Sequence, residues 1–380
     1  MDYSSYQSPF SYRYGSPEVR RIWSEENKRL LWRNLWVDLA DALSQFGLVT
    51  PEQVEDLRSH RNDVDMASSL AVEDEIHHDL MAEVKVFAGQ CSLGGRIIHL
   101  GATSMDIKDN AEVLQIRQSL DFLLTKLRRL LLVVAEKALL TADLPCLAFT
   151  HLQPAEPTTY GYRFASMLQD LETDFRQIQS FRSSLKGKGF KGAVGNAATF
   201  VELLGGEQPF NRFEGIVSQR LNLPFFSVTT QTYTRKQDLD LFYLLSSLAG
   251  TIYKAALDLR LLQSSVFAET AEPFGKKQVG SSAMPFKRNP IQLEKIDSLA
   301  RMISAYPGVA WGNYAHSLLE RTLDDSGNRR TMLPEIFLAA DEILLSFTAV
   351  ISGLEIKEPF IEANLAKFAP FAATERILLQ

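Results

Sequence analysis

The sequence predicts an all-α protein that folds as a bundle of long helices, and three observations lead to this expectation. Glycine and proline, which the interiors of ordinary helices exclude, are absent from several long stretches of the chain. Apolar residues recur within these stretches at intervals of three and four positions. Segments with the strict alternation of a half-buried β-strand are scarce, so a helical bundle accounts for the chain best.

The longest of these stretches, residues 102–144, predicts one very long helix. Its apolar positions follow helical spacing at Val113, Leu114, Ile116, Leu120, Leu123, Leu124 and Leu127. Further helices are expected at residues 162–186, 225–249, 251–272, 299–306 and 335–352. Segments such as 130–135 and 239–248 are apolar on several sides, which favours a homo-oligomer over a thick monomeric core.

The composition predicts a protein with a large core and no affinity for nucleic acid. The chain has 380 residues, of which 46% are apolar, and a net charge of -6. Cys91 and Cys146 lack the spacing of a disulfide framework or a metal site, which fits a reducing cytoplasm. The first residues lack the apolar core of a secretory signal, and we expect no membrane span, which needs about 20 apolar residues.

Residues 280–290, Gly-Ser-Ser-Ala-Met-Pro-Phe-Lys-Arg-Asn-Pro, form the most informative motif of the chain. Two hydroxyls, on Ser281 and Ser282, share the segment with the ammonium of Lys287. A serine can remove a proton from carbon only when its own pKa is lowered and the carbanion is stabilised, and a nearby ammonium helps with both. Gly280 lets the backbone approach a ligand, and the prolines discourage helix. The alternative is a surface linker of small polar residues.

This run contains every fixed position of the signature Gly-Ser-Ser-x-Met-Pro-x-Lys-x-Asn-Pro, so the chain resembles the fumarase/aspartase superfamily. The resemblance implies a fold in which long central helices form the core of a homotetramer and each active site draws on three chains. It also implies anti elimination of fumarate from a succinyl compound, without a cofactor. Ser281 would be the base, while Lys287 and Asn289 would stabilise the dianion. Spacing alone leaves Ser282 open as the base.

Two histidine motifs match the same superfamily. His151, in the run Thr150-His151-Leu152-Gln153-Pro154, matches the histidine that protonates the leaving nitrogen. Histidine alone has an unperturbed pKa near neutrality, as a proton donor to a departing amine requires. His78 and Asp79 match a pair in which the histidine contacts the substrate and supports the acid. The alternative for this pair is a solvated helix face.

Thr103 and Ser104 stand at the predicted start of the long helix, after the run His99-Leu100-Gly101-Ala102. Free backbone N–H groups and two hydroxyls at a helix start favour the binding of a carboxylate. The resemblance implies that both residues hold a succinyl carboxylate of the substrate. The alternative is a plain helix cap.

Candidate phosphate ligands favour the adenylosuccinate lyase family within this superfamily, because guanidinium forks suit a phosphate monoester. The ligands that the resemblance implies are Arg13, Tyr14, Arg321, Ser326 and Arg330. Without the family, the arginines of residues 320–330 would be expected to pair with Asp324 and Asp325. The other implied substrate contacts are His77, Asp79, Thr150, Gln231, Ser282, Met284 and Lys295. His77 and Lys295 stand where animal members usually carry arginine.

The implied substrates are purine nucleotides: adenylosuccinate, which gives AMP, and SAICAR, which gives AICAR, both in purine nucleotide biosynthesis. Two alternatives stay open. The first is a lyase of the same superfamily with another succinyl substrate, such as argininosuccinate. The second is a catalytically silent helical scaffold, against which the retention of the serine, lysine and histidine positions argues.

Three domains are expected from the resemblance. These are an N-terminal helical domain (1–104), a central bundle (105–356) that carries the loop 280–290, and the start of a truncated C-terminal helical domain (357–380). A G-x-G-x-x-G motif at 187–192 follows a predicted helix and no strand, so the context of a dinucleotide site is absent. The histidines and carboxylates show no metal-type spacing, and no metal is expected.

Overall fold

The computed structural model describes residues 4–380, and helices dominate within them. The N-terminal part contains α1 (Pro17–Ile22), α2 (Glu25–Ser44), α3 (Pro51–His60), α4 (Met66–Ile76) and α5 (Asp79–Gln90). Short 3₁₀ turns lie at Pro9–Ser11 and Gly95–Ile97. These elements pack around the first half of the central bundle.

The bundle consists of long helices whose buried faces form one continuous hydrophobic core. The helices that follow α5 along the chain are α6 (Ser104–Leu140), α7 (Tyr160–Ser184), α8 (Ala198–Leu204), α9 (Glu207–Leu221), α10 (Lys236–Gln263), α11 (Ile291–Ala315), α12 (Ser326–Gly353), α13 (Glu358–Ala372) and α14 (Thr374–Leu378). The predicted all-α fold is therefore confirmed. The expected domain boundaries after residues 104 and 356 stay predictions.

The helices predicted at 102–144 and 162–186 are confirmed as α6 and α7, but the bounds of the other four predicted helices were wrong. Residues 225–235 are not helical, and α10 continues through Gly250 instead of breaking there. Helix α11 is much longer than 299–306 and passes through Pro307, and α12 begins at Ser326 and contains Pro334. Burial of the apolar helix faces offsets the loss of helix stability relative to alanine, which is about 1 kcal/mol for glycine and about 3 kcal/mol for proline.

The strands are short. Strands β1 (Pro145–Thr150) and β2 (Gln153–Thr159) form an antiparallel hairpin between α6 and α7, with an irregular register between Leu147 and Phe149. Strands β3 (Thr270–Ala271) and β4 (Glu355–Ile356) form an antiparallel pair after α10 and α12. Strand β3 lies shortly before the segment that carries the 280–290 motif.

The bundle has two ends that matter for function. At the first end, the start of α6 meets the segments before α10 and α12, where the Tyr233 N–H donates to Asp109 at 2.8 Å. At the second end, the finish of α6 meets the start of α7, and the Gly161 N–H donates to the Thr141 carbonyl at 2.8 Å. Helix α6 has 37 residues, so the two ends are roughly 55 Å apart at a rise of 1.5 Å per residue.

Helix α12 is the one described helix that is long and apolar enough to cross a membrane. The expectation that no segment reaches this length and composition was therefore wrong. In this structure 67% of its most apolar window is buried inside the protein. Its residues, among them Phe337, Leu344 and Phe347, belong to the hydrophobic core of the bundle.

Candidate active site

A cleft of about 620 Å³ opens at the first end of the bundle. It lies between the junction of α4 and α5, the start of α6, the segment before α10 and the start of α12. The predicted site residues that line it are His77, His78, Asp79, Thr103, Ser104, Gln231, Arg321, Ser326 and Arg330. Residues from four parts of the sequence thus meet in one place, as expected of a binding site.

The His77-His78 pair forms the junction between two helices. His77 ends α4 with a left-handed backbone (φ 53°), and His78 caps the start of α5. The Nδ1 atom of His78 accepts a hydrogen bond from the Met81 N–H at 3.3 Å, so the ring proton of neutral His78 resides on Nε2. That Nε2 atom lies 3.5 Å from the Ser104 hydroxyl oxygen. The side chain of His78 lines the cleft and is 44% exposed, so its contact with the substrate stays a prediction.

Thr103 and Ser104 occupy the N-terminus of α6, where the helix cap is observed and the binding of a carboxylate stays a prediction. Thr103 is the residue that precedes the first turn, and its backbone N–H donates to Asp106 Oδ2 at 2.8 Å. Ser104 begins the helix and lies in the wall of the cleft. Because the first N–H groups of a helix lack partners within it, this terminus can both be capped and attract an anion.

Asp79 carries a negative charge that two cations hold in place. Its Oδ2 atom lies 2.7 Å from the Lys108 ammonium and 3.5 Å from the Arg330 guanidinium. Burial raises the pKa of Asp79, but the Lys108 charge, its hydrogen bond and the more distant Arg330 lower it to about 2. Sequence reasoning missed Lys108, although it stands four positions after Ser104 and so lies on the same face of α6.

A buried network of ion pairs supports the floor of the cleft, and sequence reasoning missed it. The Arg329 guanidinium donates to Asp238 at 3.0 Å and to the Tyr233 hydroxyl at 2.9 Å, and it pairs with Glu112 at 2.9 Å. Burial works to lower the pKa of Arg329, but the charges of Asp238 and Glu112 raise it well above its usual value. Arg329 is therefore a fixed positive charge beside Arg330.

Arg321 is connected to the same network of buried ion pairs through Asp325. Its guanidinium donates to Asp325 Oδ1 at 2.8 Å, and the other oxygen of Asp325 accepts from Arg235 at 2.7 Å. The alternative that these arginines pair with Asp325 is confirmed for Arg321, yet Arg321 still lines the cleft. Arg330 is 60% exposed and keeps most of its donors free for a ligand.

Thr150 and His151 lie at the second end of the bundle, outside the cleft. His151 and Leu152 form the two-residue turn between β1 and β2, and both have positive φ angles (53° and 59°). Two consecutive positive φ angles are typical of the tight hairpin turn whose twist matches that of the strands. This turn presents the imidazole of His151 to solvent.

The 280–290 motif forms an exposed loop, also at the second end. The Ser281 hydroxyl oxygen accepts hydrogen bonds from the backbone N–H groups of Ala283 (3.3 Å) and Met284 (3.1 Å). Gly280 lies so close to the Lys287 carbonyl oxygen that a Cβ atom would overlap it. Asn289 Nδ2 donates to the Gly280 carbonyl at 3.2 Å and fixes the loop from the other side.

The expected contact between the two key groups of this loop is absent. Within residues 4–380, no hydrogen bond joins the Lys287 ammonium to Ser281, and the side chain of Lys287 is exposed. Ser282 and Met284 are exposed as well. The groups that donate to the Ser281 oxygen are therefore the backbone N–H groups of Ala283 and Met284. The ammonium of Lys287, which the sequence suggested for this role, does not contact it.

Lys295 and the backbone of Gly15, the residue after Arg13 and Tyr14, meet around a single carboxylate on α12. The Glu342 carboxylate pairs with Lys295 at 2.7 Å and accepts from the Gly15 N–H at 3.0 Å. Gly15 adopts φ +77°, and a Cβ atom there would lie 2.7 Å from Leu338. The Arg13-Tyr14 segment is thus fixed near Lys295, away from the cleft that holds Arg321 and Arg330.

The glycine-rich turn at 187–192 packs against the start of α6. It follows α7 directly, and the fully buried Lys188 ammonium pairs with Asp106 of α6. Asp106 also accepts from the N–H groups of Lys191 (3.1 Å) and Gly192. The motif therefore supports the wall of the cleft, and the structure gives it no strand to precede it.

Comparison with known proteins defines the class first. Residues 17–304 match the protein family described as lyase. The chain also superposes on the 3-carboxy-cis,cis-muconate lactonizing enzyme from Pseudomonas putida with a TM-score of 0.87 at 24% identity, over 98% of this chain and 82% of that one. The fold is that of the fumarate lyase superfamily, and the chain is a lyase.

Curated relatives define the family more narrowly. The chain is 40% identical to the adenylosuccinate lyase of Schistosoma mansoni over 383 residues, which cover 100% of this chain and 79% of the relative. It is 39% identical to that of Saccharomyces cerevisiae, with the same coverage, and 37% identical to that of Pyrococcus abyssi over 98% of this chain and 82% of the relative. The chain belongs to the adenylosuccinate lyase family.

Proposed function

We propose that this lyase eliminates fumarate from adenylosuccinate, which yields AMP, and from SAICAR, which yields AICAR. The observation that carries the proposal is the cleft, where Arg321, Ser326 and Arg330 face the same space as Thr103 and Ser104. Guanidinium groups suit a phosphate monoester, and a helix N-terminus with hydroxyls suits a carboxylate. A succinylated nucleotide carries both groups.

The elimination begins with removal of a proton from the carbon beside a succinyl carboxylate by the Ser281 alkoxide. The two backbone N–H groups that donate to its oxygen stabilise the alkoxide over the neutral hydroxyl. The electron pair of the broken C–H bond moves into the carboxylate, where Lys287 and Asn289 stabilise the dianion. The C–N bond then breaks, His151 gives its proton to the nitrogen, and fumarate leaves.

The other predicted contacts orient the substrate during these steps. Gln231 would bind the succinyl part, and His78, through its Nε2 proton, would contact the substrate beside Ser104. Arg13 and Tyr14 would add to the phosphate ligands, and Lys295, His77, Asp79, Thr150, Ser282 and Met284 would complete the site. For Arg13, Tyr14, Lys295, Thr150, Ser282 and Met284, which lie outside the cleft of this chain, the roles rest on the match to the family alone.

We further propose that the active site forms between chains of a homotetramer. Ser104 and His78 lie at the first end of the bundle, whereas His151 and Ser281 lie at the second, roughly 55 Å away along α6. One chain therefore cannot complete the site. Large apolar side chains on the long helices are exposed in the single chain, including Leu132, Leu139, Tyr243 and Trp311, which supports burial against other copies. A cytoplasmic location stays a prediction from the cysteine content.

The direct test is release of fumarate by the purified protein from adenylosuccinate, SAICAR and argininosuccinate in separate assays. We expect release from the first two, and a fall of about 10²- to 10⁴-fold in kcat for Ser281→Ala, the range for loss of a general base. Ser282→Ala removes the neighbouring hydroxyl, and a larger fall in kcat for this variant than for Ser281→Ala would assign the base to Ser282 instead. Release from argininosuccinate alone, or from none by a folded oligomer, would overturn the proposed substrates.

A further inference from the structure

Glu272 is a buried carboxylate at the beginning of the segment 273–290, which carries the proposed base. Its side chain is 3% exposed. Both of its carboxylate oxygens lie 3.1 Å from the backbone nitrogen of Gln292, and Oε2 lies 3.1 Å from that of Leu293. These N–H groups belong to the first turn of α11, at the far end of the same segment. One side chain thus ties the two ends of the loop together.

The Glu272 carboxylate takes the role of the side-chain N-cap that α11 lacks. Pro290 precedes the first residue of α11 and makes no side-chain capping hydrogen bond. The first N–H groups of a helix have no partner within it, and a negative charge beside them is favourable. Glu272 therefore satisfies this helix start from 20 positions earlier in the chain.

Gln263, the last residue of α10, reinforces the same closure. Its Oε1 atom accepts a hydrogen bond from the Glu272 N–H at 2.8 Å, and its Nε2 atom donates to the Arg288 carbonyl at 3.4 Å. Between these anchors the loop has little packing of its own, because residues 275–277 and 282–288 are exposed. The position of Ser281 relative to the bundle therefore depends on the anchors.

We propose that Glu272 is a positioning residue for the elimination: it closes the loop 273–290 and so places the Ser281 oxygen against the substrate. The proposal rests on the proposed function of Ser281 as the base. Glu272 itself touches neither Ser281 nor the cleft, and it acts through the start of α11. A misplacement of about 1 Å at a reacting atom can cost about 10²-fold in rate.

The kinetic test compares Glu272→Ala and Glu272→Gln with the wild-type enzyme on adenylosuccinate. We expect Glu272→Ala to lower kcat by about 10²-fold, with a much smaller change in KM, because the cleft that binds the substrate is intact. Glu272→Gln keeps one carbonyl acceptor for the helix start and should retain more of kcat than Glu272→Ala. Thr50→Ala is the matched control: it removes a side-chain cap from α3, at the Gln53 N–H, and should leave kcat unchanged.

Limited trypsin digestion measures the loop directly and does not depend on activity. The segment contains Lys276, Lys277, Lys287 and Arg288 as cleavage sites. We expect these sites to be cut faster in Glu272→Ala than in the wild type, well below the unfolding temperature, and at the wild-type rate in Thr50→Ala. If Glu272→Ala does not fold, Glu272→Gln must show intermediate cleavage and a reduced kcat.

The two proposals fail in different ways. Wild-type kcat in Glu272→Ala, or wild-type cleavage of its loop, would overturn the positioning role while the proposed reaction stands. Absence of fumarate release from the wild-type enzyme would overturn the proposed reaction. Faster cleavage in Glu272→Ala would in that case support only the closure of the loop, and the placement of a base by Glu272 would be overturned as well.

Discussion

Asp79 shows how single residues set the charge of the cleft. Lys108 and Arg330 both lie against its Oδ2 atom, and together they offset the effect of burial. The result is a pKa of about 2 in the folded protein, below the value of about 3.9 expected in the unfolded chain. Asp79 therefore stays ionised throughout the physiological range and orients the exposed Arg330 toward the ligand space.

A substitution at Lys108 tests this account. In Lys108→Met the nearest opposing charge is gone while burial remains, so the pKa of Asp79 should rise from about 2. Ionised Asp79 stabilises the wild-type fold above about pH 4, and this contribution is lost as the pH falls from about 4 to 2. The variant should lose less stability over that interval. A carboxyl titration by NMR measures the pKa, with Lys254→Met, an exposed pair with Asp258, as the control; an unchanged pKa in Lys108→Met would contradict the account.

Residues that form local motifs could be predicted from the sequence, and residues that act through distant partners could not. Ser281, His151 and His78 stand in recognisable runs, and the structure places His78 in the cleft as expected. Arg329 stands in the run 320–330, but its partner Asp238 is 91 positions away. The role of Arg329 becomes visible only in the fold, where the pair with Asp238 is buried.

At the scale of elements, the start of α6 depends on the turn that packs against it. The Asp106 carboxylate is fully buried and is held by Lys188 and by backbone N–H groups of the glycine-rich turn. Removal of one partner from a buried ion pair leaves an uncompensated charge. The wall of the cleft formed by Thr103 and Ser104 should therefore weaken when Lys188 is replaced.

We expect Lys188→Met to lower the free energy of unfolding by about 3 kcal/mol, the lower part of the range for breaking a buried pair. Urea denaturation followed by circular dichroism provides the measurement. Lys236→Met is the matched control, because the side chain of Lys236 is 49% exposed in its pair with Asp240, and it should cost less than about 1 kcal/mol. Equal losses in the two variants would show that burial does not matter here.

Helix bounds could be predicted where glycine and proline mark the true ends of a helix. The predicted bounds were wrong where packing in the core offsets the cost of glycine or proline inside a helix. Helix α6 matches its prediction because its Gly- and Pro-free stretch is also its buried stretch. Helix α11 continues through Pro307, which is buried in the bundle. Residues 225–235 look helical by composition, but the Tyr233 and Arg235 side chains make buried polar contacts that hold this segment in another conformation.

At the scale of the whole molecule, the length of α6 separates two groups of predicted site residues. The cleft with His78 and Ser104 lies beside the start of this helix, and the hairpin with His151 follows its finish. The Ser281 loop also lies at the second end, because Glu269, shortly before it, accepts a hydrogen bond from Tyr160 at 2.9 Å. The apolar helix faces predict association, and the distance between these two groups of predicted site residues supports the proposal that an active site is shared between chains.

This division predicts complementation between two inactive variants. His78→Asn and Ser281→Ala alter opposite ends of the bundle, so each variant alone should have little activity. When both are unfolded together and refolded at equal concentrations with random assembly, roughly a quarter of all sites should combine the wild-type His78 of one variant with the wild-type Ser281 of the other. Fumarate release should recover to that fraction of the wild-type value.

The matched control refolds Ser281→Ala with the double variant His78→Asn/Ser281→Ala, which cannot form a complete site. Mixed oligomers that stay as inactive as the control would show that each chain builds its own site.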